Sequence, residues 1–314
     1  MRPSARTVIV VAVGLSIVAG VAFFLVDRLG SSVKDPVTAR CPHPPVTTGA
    51  QRTSATHREV DVRFTCEHAV LAGTIYLPNR AGPHPGAVWV HGAGKAARLG
   101  WGGQILPGLV RAGVAVLSYD KRGAGQSQGV CCPGDDGHFN LLTADAVGAV
   151  SVLRARAEIN ADEVGLVGAS QAGWIAPRAA NEARAAFVAL ASAPTVPERT
   201  ANLYERLARG DEGRLSKQEI SARLRKAGPS GFDPLPYLKQ MTVPGLWLFG
   251  TADDRTPVPE SVAILNALKA DGHDITIHVF PNAGHGLLDV PPTDPHAAPT
   301  LITWVRGRVH VTAA

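Results

Sequence analysis

Residues 164–173 read Val-Gly-Leu-Val-Gly-Ala-Ser-Gln-Ala-Gly, and this stretch restricts the fold more than any other. A short apolar run ending in small residues around one serine, then passing into an Ala-rich helical sequence, demands a strand that turns sharply into a helix. Small neighbours let the backbone turn there, and the serine hydroxyl is left exposed above the sheet. A strand followed at once by a helix is half of a crossover unit, so the rest of the chain is expected to supply parallel strands with helices between them.

The chain meets that expectation. Two strands are read in 58–65 and 69–78, joined by a tight turn at 66–68, and further strands at 86–90, 114–119, 164–167, 186–190, 245–249 and 275–280. Helical sequence falls at 139–157, 171–184, 257–270 and 299–309. The fold class is therefore α/β, a mostly parallel eight-stranded sheet with flanking helices. Its glycines and prolines, 33 and 24, sit between apolar runs and mark turns. Residues 195–242 change character, with charged amphipathic helical sequence in place of buried strands, and are read as a small helical cap inserted over one end of the sheet.

Ahead of this domain, which is assigned to 57–312, residues 27–56 are rich in Ser, Thr and Pro without sustained periodicity and read as an extended linker. Residues 7–26 carry no charge over twenty positions, long enough to span a hydrocarbon core of about 30 Å. With a short tail at 1–6, they are expected to form an uncleaved signal anchor. The folded domain would then be extracytoplasmic at the cell membrane, the alternative being secretion after signal cleavage. Export permits disulfides. Cys41 with Cys66 would staple the linker to the first strand, while the adjacent Cys131 and Cys132 are poorly placed to bond each other and read as loop cysteines. The net charge of +5 is spread over scattered residues without a basic stripe, so a nucleic-acid partner is not expected.

Four further features accompany the serine turn. His91-Gly92-Ala93-Gly94 follows the strand at 86–90, and Asp120-Lys121-Arg122-Gly123-Ala124-Gly125-Gln126-Ser127 follows the strand at 114–119. Asp253 and Asp254 lie just after the strand at 245–249, and His285, flanked by glycines, lies after the strand at 275–280. Together these residues resemble the α/β-hydrolase family over 57–312. Gly168 and Ser170 meet its G-x-S-x-G turn, with Ala172 in place of the second glycine, a departure that bears on helix packing more than on the serine. The loop at 120–127 resembles the family's D-x-R-G-x-G-x-S, in which an ion pair of Asp120 or Arg122 would shape the wall of the site. It lacks the third glycine of a dinucleotide-binding loop.

The resemblance implies Ser170 as nucleophile, Asp253 as the orienting acid in preference to Asp254, and His285 as base, in the family's chain order. It also implies an oxyanion hole made by the N–H groups of Ala93 and Gln171. His91 is read as a hydrogen-bonder that orders its loop. The expected activity is hydrolysis of an ester, thioester or amide of a small-molecule acyl substrate through an acyl-serine, a carboxylic ester first. Alternatives are a peptidase of the prolyl-oligopeptidase kind, an acyl transferase, or, in another class, a noncatalytic binding module. No metal-ligand spacing is present among the cysteines and histidines, and no cofactor is expected.

Overall fold

The computed structural model describes residues 40–98, 105–131 and 136–311. The transmembrane segment expected at 7–26, the tail before it and linker residues 27–39 lie outside the described residues. Among the described residues no helix is long and apolar enough to cross a membrane.

Among the described residues nine strands form one sheet: β1 Val46–Thr53, β2 His57–Cys66, β3 Ala69–Pro78, β4 His84–Val90, β5 Ala115–Tyr119, β6 Ile159–Ala169, β7 Val188–Ala191, β8 Gly245–Gly250 and β9 Ile275–Phe280. Their order is β1-β2-β3-β5-β4-β6-β7-β8-β9. The β1/β2, β2/β3 and β3/β5 pairs are antiparallel, and all pairs from β5 to β9 are parallel. Every residue of β4, β5, β7 and β8 is buried, as parallel strands covered on both faces must be. In β2 the buried residues are Val60, Val62, Phe64 and Cys66, the two-residue period of a strand with one face on the core.

The ninth strand is a correction to the eight expected. β1 occupies residues assigned to the linker, and all eight of its residues are exposed. Its main chain pairs with β2, and Arg52 makes a bidentate bond to Asp61 and a further bond to Glu59. Pairing of this kind leaves no hydrophobic alternation to read. Cys41 and Cys66 are disulfide-bonded, tying the segment before β1 to the end of β2. Cys131, read from the sequence as a loop cysteine poorly placed to bond its neighbour Cys132, is also in a disulfide.

Helices cover both faces. On one lie α1 Ile105–Arg111 and α8 Ala297–Arg306, packed through Leu109 and Leu301 against Trp89, Val167 and Leu246. On the other lie α2 Asp136–Arg154, α3 Ala172–Ala183 and α7 Val258–Ala270, packed through Val150, Ile175 and Leu265 against Val88, Leu166 and Trp247. Successive β4 residues Val88 and Trp89 thus serve opposite faces. Between β7 and β8 the chain forms α4 Glu198–Arg209, α5 Lys217–Ala227 and α6 Leu235–Gln240. The first two share a small apolar cluster of Leu207, Ile220 and Leu224, and α5 opens with a capping box of Ser216 and Glu219.

The crossover from β4 goes to β5 on one side and the chain returns to β6 on the other. This is a point where strand order reverses, and in open α/β sheets the crevice beyond the strand ends there receives ligands.

Candidate active site

Ser170 sits between β6 and α3 with φ of +55°, a left-handed conformation that a non-glycine residue adopts only under constraint. The constraint is close packing. A Cβ on Gly168 would meet the Val90 carbonyl oxygen at 2.6 Å and Ala172 Cβ at 2.7 Å, and one on Gly173 would meet the Pro194 carbonyl oxygen at 2.3 Å. Gly168 therefore makes room for the methyl group of Ala172, and Gly173 lets α3 lie against the chain leaving β7. The alanine found where the family has its second glycine is accommodated in this way.

The turn carries Ser170 Oγ to 3.0 Å from His285 Nε2. On the other side of the ring, His285 Nδ1 lies 3.0 Å from both Oδ1 and Oδ2 of Asp253. Nδ1–H donates to the carboxylate in this arrangement, and Nε2 accepts from the serine hydroxyl. Asp253 Oδ1 also accepts from the backbone N–H groups of Arg255 and Thr256, both at 2.8 Å, so the turn after β8 holds its own carboxylate. The Asp253 side chain is fully buried, whereas that of Asp254 is 53% exposed and faces Arg209 at 3.9 Å. Gly250 permits the acid and histidine loops to meet, since a Cβ there would lie 2.1 Å from the Ala283 carbonyl oxygen.

The loop after β4 lies beside the serine: a Cβ on Gly92 would sit 3.5 Å from Ser170 Cβ. Ala93 and Gln171 both lie just beyond the paired ends of their strands, Val90 of β4 and Ala169 of β6. His91 is buried, and its Nε2 donates to the Tyr119 carbonyl oxygen at 2.5 Å. Burial pushes its pKa down to about 4, so the ring stays neutral while it ties the loop to β5.

The 120–127 loop is held by two ion pairs. Asp120 accepts from the backbone N–H groups of Arg98 and Gln126 and faces the Arg98 side chain at 3.4 Å, and Arg122 pairs with Asp145 of α2 at 2.6 Å. Both residues flagged from the sequence are thus in ion pairs, one on each side of Lys121.

Ser170, Asp253 and His285 are brought together, with Gln171 and Ala93 alongside. Three neighbours escaped sequence reasoning. Thr256 donates to the Ser192 carbonyl oxygen at 2.9 Å with its hydroxyl 3.4 Å from His285 Nδ1. Tyr204 of α4 donates to the Asp253 carbonyl oxygen at 2.9 Å, linking the cap to the acid turn. Lys121 reaches the loop after β4 and the Gln171 side chain. Only Thr256, three residues after Asp253, is near enough in sequence to have been noticed. Among the described residues no cluster of His, Cys, Asp or Glu is placed to hold a metal ion.

The sequence model of the prolyl oligopeptidase family matches residues 109–307, more than half of the chain, with Ser170, Asp253 and His285 inside the match. The acylamino-acid-releasing enzyme of Arabidopsis thaliana is 34% identical over 71 residues, 23% of this chain, and the matched stretch is only 9% of that protein's length. Among solved structures, acetyl xylan esterase 1 from Thermoanaerobacterium sp. JW/SL YS485 has a TM-score of 0.63 at 21% identity, over 87% of this chain and 96% of its own. The Pyrococcus furiosus esterase Pf2001 has a TM-score of 0.61 at 18% identity, over 84% and 99%. At such identities the likeness is one of fold.

Proposed function

The chain belongs to the prolyl oligopeptidase family and is a serine hydrolase of the α/β-hydrolase fold, and on that premise we propose that it cleaves carboxylic esters through an acyl-Ser170 intermediate. The observation that carries the reading is the unbroken chain of contacts from Ser170 Oγ through His285 to Asp253, each link at 3.0 Å. Ser170 Oγ attacks the acyl carbon while His285 Nε2 takes its proton, and Asp253 holds the resulting imidazolium. The carbonyl oxygen gains charge and is met by the N–H groups of Ala93 and Gln171, at the N-terminal end of α3. The intermediate collapses with the proton passing from His285 to the leaving alkoxide. Water then enters, gives a proton to His285, attacks the acyl carbon and releases the acid and free Ser170.

A peptidase reading is the second one, favoured by the family's own description and by the stretch shared with an acylamino-acid-releasing enzyme. The two part on the leaving group, which is an alkoxide in one case and an amine in the other. Turnover of chromogenic esters of graded acyl length, set beside aminoacyl anilides, tests the proposal. Esters are expected to be preferred by about 100-fold or more in kcat/KM. Faster cleavage of the anilides would replace it with the peptidase reading, and turnover of neither would favour a binding module. As part of the same reading, the uncharged stretch at 7–26 supports membrane tethering with the domain outside the cytoplasm. Fractionation and protease access in intact cells test that part, and a soluble protein with a trimmed N-terminus would contradict it.

A further inference from the structure

Lys121 lies in the loop after β5 and is 2% exposed. Its ammonium donates to three oxygens, the carbonyls of Gly92 at 2.9 Å and Gly94 at 3.1 Å and the side-chain Oε1 of Gln171 at 2.5 Å. An ammonium has three N–H groups, so all are used. None of these partners is a carboxylate, and the neighbouring Asp120 is turned to Arg98 and to the N–H of Gln126. A buried cation without a counter-charge is costly, and such a charge is retained where its field or its geometry serves the site.

The partners show what it serves. The Gly92 carbonyl and the Ala93 N–H belong to one trans peptide unit, in which the two groups point in opposite directions. Fixing the Gly92 oxygen on Lys121 therefore fixes the direction of the Ala93 N–H. The third bond restrains Gln171, whose own N–H is the second proposed donor. We infer that Lys121 is a positioning residue that holds both oxyanion donors in place from behind, and that its unbalanced charge adds to their pull on the developing oxyanion. The inference rests on the reading of Ser170 as nucleophile given above.

Burial also pushes the Lys121 pKa down to about 8. A neutral amine has two N–H groups for three acceptors, so the arrangement loosens as pH rises through that value, and turnover falls with it. The other charged or titratable groups around it are engaged. Asp120 is paired with Arg98, Arg122 with Asp145 of α2, and His91 beneath the loop is held neutral by burial. His285 faces the site from beyond Ser170.

The test is Lys121→Met in the full chain, with kcat and KM on a chromogenic ester followed against pH and folding followed by thermal melting. The account expects kcat to fall by about 100-fold, as for loss of an oxyanion donor, with KM nearly unchanged. The acid limb of the pH profile should stay where it is in the parent protein, and the alkaline limb near pH 8 should disappear. Near-parental kcat, or a fall that keeps the alkaline limb, overturns the inference. If this variant does not fold, Gln171→Met decides, because it keeps both backbone donors and Lys121 while removing one acceptor. A fall in kcat of about tenfold at constant KM supports the role and an unchanged kcat overturns it. Ser170→Ala separates the two levels of the argument. Activity lost in Ser170→Ala but kept in Lys121→Met overturns the Lys121 role alone, whereas activity kept in Ser170→Ala overturns the nucleophile reading as well.

Discussion

His285 Nδ1 is equidistant, at 3.0 Å, from the two carboxylate oxygens of Asp253, while the next residue, Asp254, points outward to Arg209. Two adjacent side chains leaving one turn diverge, and only the first reaches the ring. Buried and fed by two backbone N–H groups, the Asp253 side chain is held in one position. The role proposed for it rests on that fixity: setting the tautomer of His285 and balancing the imidazolium.

The first prediction compares Asp253→Asn with Asp254→Asn. Loss of the buried carboxylate should lower kcat by about 10,000-fold, because the histidine loses its tautomer and counter-charge. Asp254→Asn should leave turnover within a few-fold and stability within about 0.5 kcal/mol, since its contact with Arg209 is exposed and long. Steady-state kinetics and denaturant melts check both, and a crippled Asp254→Asn beside a competent Asp253→Asn would move the acid by one residue.

The second prediction concerns Gly173. Adding one methyl group here forces α3 away from the Pro194 carbonyl, and overpacking of this kind costs about 1–3 kcal/mol. Because α3 begins at the serine turn, Gly173→Ala should also lower kcat. A urea midpoint equal to that of the parent protein would contradict the close approach.

The third prediction follows from His91. Its pKa falls from 6.5 in the unfolded chain to about 4 in the folded one, through burial first, so the unfolded state binds more protons between these values. Stability therefore falls as pH drops below 6.5. Between pH 7 and pH 5 this one group removes about 2 kcal/mol. His91→Gln should flatten that part of the curve whatever its effect at pH 7, as measured by denaturant midpoints at the two pH values. An unchanged pH dependence would mean that the ring is not held neutral.

Local pattern made much of this site legible and long-range contact hid the rest. Ser170, Asp253 and His285 each follow an apolar strand within a few residues, so strand ends and turn residues pointed to all three. Lys121 was invisible because its partners Gly94, Gly92 and Gln171 lie 27, 29 and 50 residues away, and a lysine in a polar loop reads as solvated. Tyr204 meets the acid turn from 49 residues off, within the cap, whose sequence carries no pattern for its docking. In the fold, β1 escaped because every side chain on it is exposed, and α1, with seven residues, is too short for a helical period to stand out. The central strands were legible because burial on both faces forces near-continuous apolar runs.

The central claim is that Ser170 is the nucleophile, and covalent labelling tests it most directly. A fluorophosphonate should modify the full-length protein on one peptide containing Ser170 and abolish ester turnover in step with labelling. Ser170→Ala, correctly folded, should take up no label and lose turnover. Labelling of another residue, or turnover that survives in Ser170→Ala, would contradict the account.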